Sequence, residues 1–297
     1  MSELKATADA VPSSNHRHPH AAGTHAIPLQ RHPLKELTPE MVADFHRDGF
    51  LFLPRELVWT EDQERLLVDE VDRMDGWPEA AGKWMKYFEK NSLKGKPGHD
   101  GVDEPDKILQ RIENFLDYNH NLNELINGPR MLRLVSQLFG EEAVLYKEKI
   151  NYKLPGGQGF APHQDVAAGW WMYGQSLHIS TLIGIDPATT ENGALELVRG
   201  AHKQGMLSDQ WKGLSDEVCD RLKWEMFPTR TGDIVFFDSF VPHRSGPNQT
   251  DKPRRVVYTT YAKASEGDFR TRYYADKRKS FPPDIEREAG KVYEYKI

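Results

Sequence analysis

The tripeptide histidine–X–aspartate occurs twice in this chain, as His46-Arg47-Asp48 and as His163-Gln164-Asp165. With twelve histidines, about one such tripeptide is expected by chance, so the surroundings decide what each can do. The first pair falls in an amphipathic helical pattern, where positions two apart point to nearly opposite sides and cannot grip one ion. The second follows the turn-rich run Pro155-Gly156-Gly157-Gln158-Gly159 in a strand-rich half, where residues two apart project from one face. His243, 78 positions beyond Asp165, is the best candidate for a third ligand, because it follows directly on an apolar strand pattern. Two neutral imidazoles and a carboxylate suit Fe(II) and leave three positions open for a chelating cosubstrate and dioxygen. Zinc is the competing metal, although His-Glu-X-X-His is absent and Cys219 is the single cysteine. From residue types alone, ordinary polar residues at strand ends remain an equal reading.

Such ligands need a frame to hold them. Thr38 can cap a helix with Pro39 in its first position; Leu37 can staple onto Val42, Phe45 extends the apolar stripe and Gly49 ends it. Residues 50–53 read as a strand closed by Pro54. A second helix is predicted after Thr60, with Leu66, Leu67, Val71 and Met74 at helical spacing. A third follows Pro129, with Met131, Leu132, Leu134, Val135 and Leu138, and stops at Gly140. Helices thus dominate the front half. Beyond Glu142 the texture changes to short β-prone runs at 144–154, 177–185, 194–198, 234–237 and 256–261, separated by Gly, Pro and Asn. Strand following strand favours an antiparallel barrel or sandwich with helices packed outside over a doubly wound parallel sheet. Asn192-Gly193 reads as a hairpin turn.

Composition narrows the partners. Thirty-nine basic and 45 acidic side chains give a formal charge of -6, too mild and mixed for nucleic acid or an anionic membrane to be the main partner, so a small-molecule substrate is expected. One cysteine excludes an intrachain disulfide, a zinc ribbon and an iron–sulfur cluster. With no apolar run approaching a membrane span and no secretion-type leader, a cytoplasmic protein is expected. Residues 1–32 carry five histidines amid Ala, Pro, Ser and Gly and are expected to form a disordered tail, leaving a single domain over 33–297.

Several stretches together carry a resemblance: Phe160-Ala161-Pro162-His163-Gln164-Asp165; the run from Glu191-Asn192-Gly193 to Gly200-Ala201-His202-Lys203; Gly232-Asp233-Ile234-Val235-Phe236-Phe237; and His243-Arg244-Ser245-Gly246-Pro247-Asn248 with Arg254. The opening Leu37-Thr38-Pro39-Glu40 with Phe45, Asp48, Gly49 and Phe50 fits the same pattern. In this order and spacing they resemble the phytanoyl-CoA dioxygenase superfamily over roughly residues 37 to 265. The resemblance implies a mainly β fold, a double-stranded β-helix of the jelly-roll or cupin type packed by N-terminal helices. It also implies an enzyme that uses Fe(II), 2-oxoglutarate and O2 to hydroxylate an unactivated C–H bond. His163, Asp165 and His243 would be the metal ligands. Arg254 would pair with the distal carboxylate of 2-oxoglutarate, with Arg255 as its rival; Ser245, Ser180 and Asn151 would be further cosubstrate contacts. His202 and His178 are assigned no role. Because related halogenases replace the carboxylate ligand with a small residue, Asp165 favours hydroxylation over chlorination.

For the substrate, Trp170, Trp171 and Tyr173 lie just past Asp165 and could cage an ammonium group or simply pack a lid. Lys147, Lys149, Asn151 and Lys153 share one side of a strand and could receive an anionic group, with Lys149 the foremost. Both together describe a small zwitterion such as an amino acid derivative or an aminophosphonate, and residues 149–165 loosely resemble 2-aminoethylphosphonate hydroxylases. A solvated lysine face, a zinc-dependent hydrolase on the same triad and a non-catalytic metal-binding barrel are the alternatives. The basic residues Arg270, Arg272, Lys277, Arg278 and Lys279 read as plain surface.

Overall fold

In the computed structural model, which describes residues 33–96, 105–174 and 177–293, the first helix begins where its capping signals put it. The Thr38 side chain accepts from the Met41 amide, Pro39 opens α1 (Pro39–Asp48), and Gly49 closes it with φ of 85°. That left-handed conformation is strained for any residue with a Cβ, and a Cβ here would also strike His202 and Val241. The chain then enters β1 (Phe50–Leu53). Helix α2 (Glu61–Asp75) starts with a reciprocal capping box between Thr60 and Gln63. The expected tail over 1–32 lies outside the described residues.

Two strands that the sequence pattern does not announce come next, β2 (Met85–Lys90) and β3 (Lys107–Glu113). The front half is therefore not purely helical. Arg111 and Glu113 interrupt β3 because one of its faces meets a polar cavity rather than an apolar core. Helices α3 (His120–Ile126) and α4 (Pro129–Phe139) follow. On α4 the side chains of Leu134, Val135 and Leu138 are fully buried, each stabilising the fold by roughly 1.5–3 kcal/mol relative to exposure. The second half supplies β4 (Ala143–Lys153), β5 (Phe160–His163), β6 (Ile179–Gly184), β7 (Leu195–Val198), α5 (Asp216–Arg221), β8 (Trp224–Phe227), β9 (Ile234–Asp238), β10 (His243–Ser245), β11 (Arg254–Lys263) and α6 (Arg270–Ser280).

All ladder pairings between these strands are antiparallel. One sheet has seven strands in the order β1-β9-β6-β11-β4-β3-β2; the other has four, β5-β10-β7-β8. Asn192-Gly193 does not join a hairpin: it lies in the crossing from β6 of the large sheet to β7 of the small one. Alternation divides the large sheet into two faces. Ile150, Tyr152, Ile183, Phe236, Val257 and Tyr261 pack with the helices. Phe50, Leu182, Val235, Phe237 and Val256 pack against Leu195 and Leu197 of the small sheet. This is the double-stranded β-helix with helices outside. The basic residues of α6 are not plain surface. Arg270 reaches the fully buried carboxylate of Glu148 (2.7 Å) and Lys277 that of Glu113 (2.5 Å), while Arg272 stays exposed. Among the described residues, no helix is long and apolar enough to cross a membrane.

Candidate active site

The two histidines meet because β5 and β10 pair in register at His163 and His243, which puts their rings 4.2 Å apart between centroids. Asp165 arrives by another route than the alternation argument supposed. The strand stops at His163, and Asp165 begins a 3-10 turn, Asp165–Ala168. Gln164 holds that turn in place. It is wholly buried, its amide nitrogen donates to the carbonyls of Gly205 (2.9 Å) and Phe240 (2.6 Å), and its oxygen accepts from the Leu207 amide (2.6 Å). One ligating atom from each of His163, Asp165 and His243 lies within 4.8 Å of the others. His46, the alternative histidine, lies in the last turn of α1, and neighbouring Asp48 is tied up by Arg47 and Arg199.

Each imidazole is oriented from behind. The Nδ1 atoms sit 2.7 Å from the Ala161 carbonyl and 3.0 Å from that of Val241, so Nδ1–H is the donor and the Nε2 lone pair is left to bind. Burial, and for His163 also the neighbouring His243, lowers both imidazoles below their ordinary range and keeps them neutral. Burial alone would raise Asp165. The neighbouring basic groups, His243 first and then Lys147, outweigh it and hold the carboxyl below its ordinary value. Two neutral nitrogens and one ionised oxygen, converging and partly accessible, fit Fe(II).

Ser180, expected at the cosubstrate, lines the cavity beside the triad, donates to Asp165 Oδ2 (2.9 Å) and lies 3.1 Å from the Thr260 hydroxyl. With its own hydrogen committed to Asp165, Ser180 accepts from Thr260 and fixes the carboxylate's orientation.

The neighbouring arginines on β11 part company. Arg255 is held by Asp186 (2.9 Å), Asp72 (2.6 Å) and Asp75 (2.9 Å) on the helical side. Arg254 points the other way, 2% exposed, with Nη2 on the Gly193 carbonyl (3.0 Å), no ion pair to a carboxylate among the described residues, and a buried Nε without an acceptor. A buried guanidinium without a carboxylate is costly unless a ligand completes it. Ser245 and Asn151 line the adjacent cavity, and Asn151 Oδ1 is another buried atom without a partner. The donor set fits the far carboxylate of a dicarboxylic acid.

The triad opens into a cavity of about 510 Å³. A second lobe of about 690 Å³ shares Lys147, Lys149, Ala168, Trp170 and Phe281 with it. Lys149 lines both lobes, 5.1 Å over the Tyr258 ring. The aromatic trio does not form a cage. Trp170 is buried and its face is taken by Lys147 Nζ, 3.9 Å from the ring. Tyr173 lines only the outer lobe and donates to Asp276 (3.0 Å). Trp171 is 52% exposed and lines neither lobe. Trp170, Trp171 and Tyr173 leave one turn in different directions, and sequence spacing alone does not tell which one turns inward.

Other residues here went unassigned. Arg111 of β3 lines the cavity, bonded to Glu113 at 2.8 Å and 4.5 Å from the Tyr87 ring. Its signal was available, since Arg111 and Glu113 alternate with the core residue Ile112, but neighbouring charges mask the strand. Phe281 and Arg287 also line the cavity from beyond α6, with no local pattern to mark them.

Comparison with known proteins bears on the family and the fold. The family model for phytanoyl-CoA dioxygenase (PhyH) matches residues 45–256. A 2-aminoethylphosphonate dioxygenase from the uncultured bacterium HF130_AEPn_1 is 38% identical over 257 residues, covering 86% of this chain and 93% of that protein. A methylphosphonate hydroxylase from Gimesia maris is 38% identical over 246 residues, covering 82% and 88%. Among solved structures, EctD from S. alaskensis with 2-oxoglutarate and 5-hydroxyectoine superposes with a TM-score of 0.62 at 20% identity, covering 83% of this chain and 80% of EctD, a likeness of fold.

Proposed function

The chain belongs to the phytanoyl-CoA dioxygenase family, an oxygenase using Fe(II), 2-oxoglutarate and O2, and from that premise we propose that it hydroxylates a small organophosphonate. The zinc-hydrolase and non-catalytic readings are set aside by that membership. The observation that carries the substrate class is the charge of the cavity beside the triad. Lys147 and Lys149 line it with no ion pair to a carboxylate among the described residues, Arg111, Arg244 and Arg287 line it already paired with Glu113, Glu196 and Asp284, and Asp165 is the one carboxylate among its lining residues. Such a cavity favours a compact dianion and disfavours a free cation. Both relatives at 38% identity are named for phosphonates.

In this reading His163, Asp165 and His243 would hold the iron. Bound together with 2-oxoglutarate and dioxygen, the iron supplies the oxidising power that replaces a C–H hydrogen by hydroxyl while the cosubstrate leaves as succinate and carbon dioxide. The protein's own part is placement. Arg254 and Ser245 anchor the cosubstrate, and Lys149 with Lys147 draws the phosphonate inward. Burial and the ammonium of Lys149 push Lys147 well below its ordinary value; a dianion beside it favours its charged form, strengthening the contact where it forms. The apolar wall from Phe237 and Leu195 keeps water from the reacting carbon. An ammonium group on the substrate is not required, because Lys147 already covers Trp170.

The test is anaerobic reconstitution with Fe(II) and 2-oxoglutarate, monitored for the weak visible charge-transfer band of a chelated keto acid. Oxygen and 2-oxoglutarate consumption with methyl-, ethyl- and 2-aminoethylphosphonate then follows. Phosphonate-dependent turnover is expected, with His163→Ala reducing it by more than about 100-fold. Turnover with the matching carboxylates but none of the phosphonates overturns the substrate class.

A further inference from the structure

We propose that Lys153 positions Ser245 for the far carboxylate of 2-oxoglutarate, and that binding of this cosubstrate draws one proton from solvent onto the Lys153 amine. The inference rests on the cosubstrate site described above. Arg254 and Lys153 are direct cross-strand partners on β11 and β4. Both reach the same oxygen, the Gly193 carbonyl, from Nη2 at 3.0 Å and from Nζ at 3.3 Å. Lys153 Nζ also bonds Ser245 Oγ at 2.8 Å and the Gly246 carbonyl at 2.5 Å. With Nζ charged, its three hydrogens go to these three oxygens and the Ser245 hydroxyl hydrogen is free to turn toward the cavity that Ser245 lines; with Nζ neutral, two hydrogens serve the two carbonyls and the serine hydroxyl donates to Nζ instead.

The site is built tightly. Lys153 is 1% exposed, and Gly193, held at φ of 78°, has no room for a Cβ, which would fall 2.1 Å from the Gly246 carbonyl oxygen and 2.9 Å from Lys153 Nζ. Two basic side chains thus share one buried corner with no ion pair to a carboxylate among the described residues. The charged groups acting on Lys153 are Arg254 from β11, which repels it, and Glu89 from β2, which attracts it from beyond ion-pair distance while accepting from the Gln158 amide (3.2 Å). Beside Arg254 stand Tyr258 on its own strand and Asp186, the latter engaged by Arg255.

Burial and the Arg254 guanidinium bring Lys153 down to about 6, so near pH 7.5 the free protein holds it mostly neutral. An arriving carboxylate supplies the missing counter-charge and favours the ammonium. Linkage then fixes the sign: below pH 6 the amine is already charged and affinity is flat, whereas above it the affinity for 2-oxoglutarate falls as pH rises, approaching about tenfold per unit.

Titration calorimetry of 2-oxoglutarate into the anaerobic Fe(II) protein at pH 7.5, in buffers of different ionisation enthalpy, reads the proton directly. Wild type is expected to take up close to one proton. Lys153→Met should take up none and bind about tenfold more weakly, whereas Ser245→Ala should bind more weakly yet keep the uptake. Uptake that persists in a folded Lys153→Met overturns the proposal, as does a wild type with no uptake. If Lys153→Met does not fold, the wild-type dissociation constant from pH 5.5 to 8.5 decides: a break near 6 supports the proposal and a flat profile sinks it. A wild type that does not bind 2-oxoglutarate at all would instead remove the cosubstrate site itself.

Discussion

Arg254 and Arg255 are adjacent in the chain and face opposite sides of one strand, and the two charges are treated in opposite ways. On the helical side Arg255 meets three aspartates, and Arg270 there meets Glu148. On the cavity side Arg254, Lys153, Lys149 and Lys147 form no ion pair with a carboxylate among the described residues. A paired buried cation completes the fold's own electrostatics. An unpaired one is tolerated when function supplies the missing anion and water or backbone carbonyls serve until then. The contrast identifies which basic residues await a ligand without reference to any relative.

Exchanging the roles of the two arginines is the strongest way to break this contrast. Arg254→Met should raise the 2-oxoglutarate requirement about 100-fold with little change in thermal stability, read from initial rates against cosubstrate concentration and from the melting temperature. A near-normal cosubstrate response would return the assignment to Arg255. Arg255→Met should do the reverse, lowering stability by about 2 kcal/mol in denaturant unfolding while leaving the 2-oxoglutarate requirement within about threefold. The loss is modest because Asp72 and Asp75 are half exposed.

Lys149→Ala sharpens the cavity side. It should raise KM for the phosphonate about tenfold with kcat nearly unchanged, because one charge-assisted contact to the ground state is lost. An unaltered KM would remove Lys149 from the anion site. The smallest effect concerns Glu113, a cavity-side carboxylate that is paired, with Lys277 and Arg111. Burial would raise it, but these two cations hold it at about 2, so its folded value is depressed. Its stabilisation is full above the unfolded value near 4.5 and lost as pH falls through the folded one, amounting to about 1 kcal/mol between pH 5 and 3.5. Unfolding curves of wild type and Glu113→Gln should differ at neutral pH and converge in acid. Parallel curves would show that Glu113 is not depressed.

Much of this was legible in the chain. Capping residues mark α1 and α2, because Thr38 and Thr60 satisfy local amides and need no distant partner. Strands β4, β9 and β11 show themselves through runs of apolar and β-branched residues. By contrast β2 and β3 carry Lys86, Glu89, Arg111 and Glu113, whose tolerance inside a sheet depends on partners far along the sequence, such as Lys277.

The ligand types, their order and the family pattern were set by sequence alone, since metal preference follows from donor chemistry. Residue types at one position also put Arg254 and Arg255 on opposite faces, because a strand has period two. Which of those faces is the cavity was decided only in three dimensions, where Asp72, Asp75 and Asp186 pair with one arginine and none pairs with the other. The same holds for Asp165, steered by the buried Gln164 rather than by strand alternation, and for Trp170, turned inward while Trp171 meets solvent. Local propensity encodes what a few neighbouring residues can satisfy among themselves; the choice of face, partner and depth belongs to contacts that only the closed sheets create.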